Sequence, residues 1–181
     1  TIEYIKKRKH NPHYLSSAYF NTQLLHMSAS VSEVVHACDT VLVCIPSSYL
    51  LDSLQELPAD IFKNKNIISA VKGILPNKNH QLLNEFLQEQ YGVPVENYFT
   101  IMGPCHAEEV AAEKLSYLTF SGEQVATAEL IAAHFKTDYL NTVVNHDIWG
   151  TQYAAVLKNI YAVGAGIAHG LEYGDNFLSV Y

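Results

Sequence analysis

The sequence predicts an α/β fold: a doubly wound parallel sheet, followed by the start of an all-helical C-terminal domain. Three observations carry that expectation. Short β-branched runs end at Pro or Lys-Gly, amphipathic segments lie between them, and every strand signal is lost after His146. Continuous apolar runs too short for a helix suit strands covered on both faces of a parallel sheet, and their alternation with helices is the rhythm of a doubly wound domain.

Residues 1 to 10 read as the end of a helix, with Lys6-Lys7-Arg8-Lys9 as its solvated basic end and Asn11-Pro12-His13-Tyr14 as its break. Proline drives the residue before it away from the helical conformation. After a loop, Ser32 to Ala37 reads as a short helix with Ser32 as its N-cap. Asp39 to Pro46 is then the first strand, expected to be buried on both faces. Ser47 to Leu57 is an amphipathic helix and Asn66 to Val71 a second buried strand, which makes a βαβ crossover. Leu82 to Tyr91 follows as a helix and Tyr98 to Met102 as a strand ending at Gly103-Pro104. Strands recur at Leu115 to Phe120 and Asn141 to Val144, around a helix from Gln124 to Phe135. From Asp147 to about His169, Trp149, Tyr153, Val156, Leu157, Ile160, Tyr161 and Gly164 recur at helical spacing. They predict a long buried helix opening a second domain, with the boundary between residues 145 and 148.

A chain of 181 residues accommodates one domain and part of another, and 49% hydrophobic with 16% charged residues is ordinary globular composition. Carboxylates outnumber Lys plus Arg by 18 to 11, for a net charge of −7, which tells against a nucleic-acid partner. Cys38, Cys44 and Cys105 have neither disulfide-framework nor zinc-knuckle spacing, so a reducing, cytoplasmic compartment is expected. No apolar run approaches the roughly 20 residues of a membrane span, so no membrane insertion is expected. The histidines lack an accompanying carboxylate set, and no metal site is expected.

Three places could carry chemistry. Lys72-Gly73 and Gly103-Pro104-Cys105-His106-Ala107 stand at strand ends, where open parallel sheets bind ligands. Each also reads as an ordinary solvated or tight turn. Lys158, flanked by Val156, Leu157, Ile160 and Tyr161, reads two ways. It is either a partly desolvated ammonium with a lowered pKa, fit for proton transfer, or a lysine that snorkels to the surface. Cys105 and His106 are adjacent in sequence, and neighbours rarely meet in the geometry of a catalytic pair. Gly164, Gly166 and Gly170 follow a helix rather than a strand, so they suit close helix packing and a helix end better than a dinucleotide fingerprint.

Asn11-Pro12-His13-Tyr14-Leu15, Ile45-Pro46-Ser47, Val71-Lys72-Gly73, Gly103-Pro104-x-x-Ala107-x-Glu109-Val110 and Ala155-x-Leu157-Lys158-Asn159 with Ala162, Ala165 and Gly166 stand in order, followed by Gly170-Leu171-x-x-Gly174-Asp175-Asn176. Together they resemble the bacterial-type NAD(P)-dependent glycerol-3-phosphate dehydrogenases over nearly the whole chain. The resemblance implies a Rossmann-like sheet lacking its first strands, with residues 1–146 as a partial dinucleotide-binding domain and 147–181 as the start of a helical substrate-binding domain. It implies hydride transfer with NAD or NADP between sn-glycerol 3-phosphate and dihydroxyacetone phosphate, supplying phospholipid synthesis, and a possible homodimer.

By the same resemblance Lys158 matches the catalytic lysine, Lys72 a second lysine near substrate and nicotinamide, and Asn159 a residue that helps orient substrate. Gly103, Cys105 and Ala107 fall where the family's glycine-proline turn touches substrate and cofactor, and Tyr14 and Pro46 fall at cofactor-binding positions. Cys105 stands where relatives more often carry Ser or Thr, and His106 where they commonly carry Phe. The family's phosphate loop would precede Thr1, and its substrate-phosphate residues would follow Tyr181, so this chain alone is expected to have little activity. Two other readings remain open: another β-hydroxyacid-type dehydrogenase, or a non-catalytic fragment that self-associates.

Overall fold

The computed structural model describes residues 1–15 and 17–180. Among them a sheet runs in the order β1 (Thr40–Val43), β2 (Asn66–Ser69), β3 (Tyr98–Met102), β4 (Ser116–Ser121) and β5 (Leu140–Asn145). The helices are α1 (Ile2–Arg8), α2 (Val31–His36), α3 (Ser47–Leu54), α4 (Leu83–Tyr91), α5 (Ala107–Ala111), α6 (Val125–Ala133), α7 (Ile148–Gly170) and α8 (Gly174–Val180). None is long and apolar enough to cross a membrane.

Side chains alternate across a strand, and the two faces of this sheet build two cores. Ile67 and Tyr98 face one core with Leu50 and Leu54 of α3 and Leu83 and Leu87 of α4. Ile68 and Phe99 face the other, with Phe120 and with Ala128 and Ile131 of α6. Helices on both faces make the expected doubly wound α/β domain, and β3 at its centre is buried throughout.

The sheet is not uniformly parallel. β1, β2 and β3 run parallel, β4 runs antiparallel to β3, and β5 runs parallel to β4. The helix between β3 and β4 is too short to carry the chain back along the sheet: α5 has 5 residues, a rise of about 7.5 Å, less than half the ~16 Å that the 5 residues of β3 span. The chain therefore re-enters the sheet from the end at which it left. One consequence matters for function. β5 finishes at the end where β3 begins, so α7 starts there and runs along β3 toward the carboxyl ends of β1, β2 and β3.

Four further expectations are corrected. Among the described residues β1 is an edge strand bonded to β2, and its Leu42 is 45% exposed. The cap of α2 is Ser30, whose hydroxyl accepts from the Glu33 amide at 3.3 Å, not Ser32. α7 is long but not buried. Ile148 and Gln152 are enclosed at its start, whereas Leu157, Ile160, Val163 and Ile167 are exposed. Its main neighbours are β3 and α8, which leave most of its circumference bare. A Cβ on Gly166 or Gly170 would meet nothing within 4 Å, so close helix packing is not what these glycines provide here.

Candidate functional site

A cleft of about 620 Å³ lies at the carboxyl ends of β2 and β3, beneath α7. It is lined by Lys72, Gly103, Thr119, Thr151, Lys158 and Asn159, among others, and no carboxylate lines it among the described residues. Two ammonium groups thus converge in a chain whose net charge is −7. Such a local excess of positive charge attracts and holds an anion.

The turns at the two strand ends are built on glycine. Gly103 has φ +150°, and a Cβ there would stand 2.4 Å from the Tyr117 carbonyl oxygen, which is backbone and cannot yield. Gly73 has φ +151°, and its Cβ would stand 2.5 Å from Ser47 Oγ at the start of α3. Both positive φ values favour glycine, and at Gly103 the lack of a side chain also lets two stretches of backbone come this close. The turns set Lys72 and Pro104 at the rim of the cleft.

α7 supplies the opposite wall, and its start is held by specific bonds. Asp147 caps it, its carboxylate accepting from the Gly150 amide at 2.8 Å. The Thr151 hydroxyl donates to the Asp147 carbonyl and meets the Ser121 hydroxyl of β4, each at 2.7 Å. Gln152 accepts from the Tyr98 hydroxyl at 3.1 Å and donates to Asn84 at 2.9 Å. Burial pushes the Tyr98 phenol well above the ordinary tyrosine range, and a bond from Ser69 opposes that only in part. From this root, Thr151, Ala155 and Lys158 follow at i, i+4 and i+7 along one face and all line the cleft.

Lys72, Gly103, Lys158 and Asn159, singled out in the sequence, therefore share one cleft. Cys105, Ala107, Pro46 and Tyr14 do not line it. Cys105 is a half-buried free thiol just past the turn, and Ala107 opens α5. Pro46 precedes α3 at the carboxyl end of β1, so it shares the sheet end but not the cleft. Tyr14 is 73% exposed and packs edge-on against His13. Of the two readings of Lys158, the exposed side chain is the one the structure shows. Thr119, Thr151 and Gln152 were not anticipated. Thr151 had a signal in its i+7 spacing from Lys158, and Gln152 had one as a polar residue at a buried position of an apolar helix.

A Rossmann-like sheet with a cleft at its strand ends, walled by the first helix of a helical segment, is an arrangement that nicotinamide-dependent dehydrogenases share. Within that class the chain belongs to the NAD-dependent glycerol-3-phosphate dehydrogenase family: the model of that family's N-terminus matches residues 1–128 and that of its C-terminus residues 147–181. The glycerol-3-phosphate dehydrogenase [NAD(P)+] of Latilactobacillus sakei is 33% identical over 177 residues, covering 95% of this chain and 51% of the relative. That of Enterococcus faecalis is 33% identical over 178 residues, covering 97% of this chain and 51% of the relative. The chain spans about half the length of the curated relatives it matches. Among solved structures, the Dunaliella salina enzyme superposes with TM-score 0.78 at 26% identity, over 97% of this chain and 30% of that one. Plasmodium falciparum glycerol-3-phosphate dehydrogenase shares the fold with TM-score 0.85 at 22% identity, over 99% of this chain and 50% of that one. The family match sets aside the other β-hydroxyacid dehydrogenases.

Proposed function

We propose that the protein interconverts dihydroxyacetone phosphate and sn-glycerol 3-phosphate with NAD or NADP, and that Lys158 is its proton donor. The observation that carries this reading is the convergence of Lys158, Asn159, Lys72 and Gly103 in one carboxylate-free cleft. The bound nicotinamide supplies or accepts the hydride. The cleft fits such a group: Gly73, Met102, Gly103 and Pro104 give it an apolar wall, and Lys72 and Lys158 give it positive charge.

As hydride reaches the substrate carbonyl, alkoxide character grows on its oxygen. A positioned ammonium stabilises that charge and then transfers its proton, and the neutral amine takes a proton back in the opposite direction. Lys158 does this from α7 while Asn159 orients the substrate oxygens. Lys72, across the cleft, holds the anion and shields the nicotinamide side, and the turn through Gly103 and Cys105 borders the reacting carbon. Pro46, Ala107 and Tyr14, outside the cleft, flank the cofactor. Residues 1–146 form the dinucleotide-binding part and 147–181 open the substrate-binding part.

The product serves phospholipid synthesis in the cytoplasm, a compartment consistent with three unpaired cysteines. The apolar far side of α7 supports pairing with a second copy. Light scattering over a concentration series tests that pairing, and a monomer throughout removes it.

The decisive test is Lys158→Ala in the complete protein. Turnover of dihydroxyacetone phosphate should fall by roughly 10²- to 10⁴-fold with cofactor affinity retained. Near-normal turnover would remove Lys158 from the mechanism.

A further inference from the structure

A glutamine buried in a helix is costly unless its polar atoms are paired. Gln152 is 4% exposed, and both ends of its amide are paired. Its Oε1 accepts from the Tyr98 hydroxyl at 3.1 Å, and its Nε2 donates to Asn84 Oδ1 at 2.9 Å and to the Ile148 carbonyl at 3.3 Å. Tyr98 belongs to β3 and Asn84 to α4, and both are buried. One side chain thus ties α7 to the central strand and to a helix of the first core.

An apolar residue here would hold α7 by contact area, which changes little when a helix turns or slides slightly. Hydrogen bonds are directional, and a fully satisfied buried network selects one arrangement. The distinction matters because Lys158 cannot fix its own pose. It is exposed, and from Leu157 to Val163 every residue of α7 is exposed. A register slip of one residue would swing Lys158 by about 100° around the helix axis and out of the cleft. The position of the ammonium is set at the root of the helix.

We infer that Gln152 is a positioning residue for the reaction: through Tyr98 and Asn84 it fixes the rotation and register of α7 that hold Lys158 in the cleft facing Lys72. The inference rests on the reading of Lys158 as proton donor. It does not place Gln152 in contact with substrate or cofactor.

The test is steady-state kinetics on the complete protein, with cofactor affinity measured alongside. Gln152→Met keeps the length of the side chain and removes its bonds to Tyr98 and Asn84. We expect kcat to fall roughly 10- to 100-fold, as misplacement of a reacting group by about an ångström does, with cofactor affinity retained. Gln152→Glu should recover most of the loss, since its carboxylate accepts from Tyr98 and the Asn84 amide can turn to donate to it. On the Lys158→Ala background Gln152→Met should cost nothing further, because a residue acting through Lys158 has nothing left to position.

An unchanged kcat in Gln152→Met, or an equal loss on both backgrounds, overturns the inference. If the methionine variant does not fold, Tyr98→Phe removes the same bond from the other side and takes its place in the comparison. Near-normal turnover of Lys158→Ala alone would instead sink the underlying assignment, and that result does not involve Gln152.

Discussion

The two halves of α7 have the same apolar composition and opposite surroundings. At the root Ile148 is fully buried, Gln152 is bonded on both sides, Thr151 meets Ser121, and Asp147 caps the first turn. In the far half Ala168 alone among the described residues is buried, and Leu157, Ile160, Val163 and Ile167 stand exposed. Helical periodicity reports which residues share a face, not whether a partner lies against it. The site sits at the junction of the two halves: its lysine projects from the bare half, and the bonds that place it lie in the anchored one.

Ile148→Ala is the strongest way to break this contrast. Ile148 is 0% exposed and belongs to the core formed by α3 and α4, so truncation should cost about 2–5 kcal/mol through lost transfer energy and the cavity left behind. Urea unfolding measures it. A loss no larger than that of a surface residue would mean the root is not an anchor.

Tyr98→Phe comes next, at about 1–3 kcal/mol, because it strands the Gln152 carbonyl oxygen in a buried site. Its pH dependence sharpens the test. The folded chain raises the Tyr98 pKa, so it favours the neutral phenol. That contribution is fully present below the ordinary tyrosine range near ~10 and is lost as pH rises beyond it, where the unfolded chain ionises first. Stability measured from neutral to strongly alkaline pH should fall more steeply in the parent chain than in Tyr98→Phe. Parallel curves would show that the phenol is not held neutral.

Local signals carried most of the fold. The apolar runs at residues 66–69 and 98–102 are strands, and Lys72, Gly103, Lys158 and Asn159 do meet in one cleft. What escaped was set by partners remote in sequence. A strand has the same composition in either direction, so the reversal at β4 was hidden; the brevity of the helix between residues 103 and 115 was its trace. β1 looked buried because its residues suit burial, yet it lies at the sheet edge. The Gln152 network joins residues 54 and 68 positions apart, beyond the reach of any local pattern. Pro46 and Ala107 lie near sheet-end turns but outside the cleft, because proximity in a motif fixes the turn and not the direction of each side chain.

The contrast should persist where the effects are small. Asp147→Ala removes the bond to the Gly150 amide and should cost about 1 kcal/mol, typical of a lost helix cap. Val163→Ala, in the far half, removes methyl groups from a side chain that is 63% exposed. Little buried area is lost, and alanine is the better helix former by a fraction of a kcal/mol, so the net change should stay within about 0.5 kcal/mol and lean toward stabilisation. Measured in this chain, a loss as large as that of Asp147→Ala would mean that the far half is covered in solution, and the division of α7 would then belong to the isolated chain rather than to the protein at working concentration.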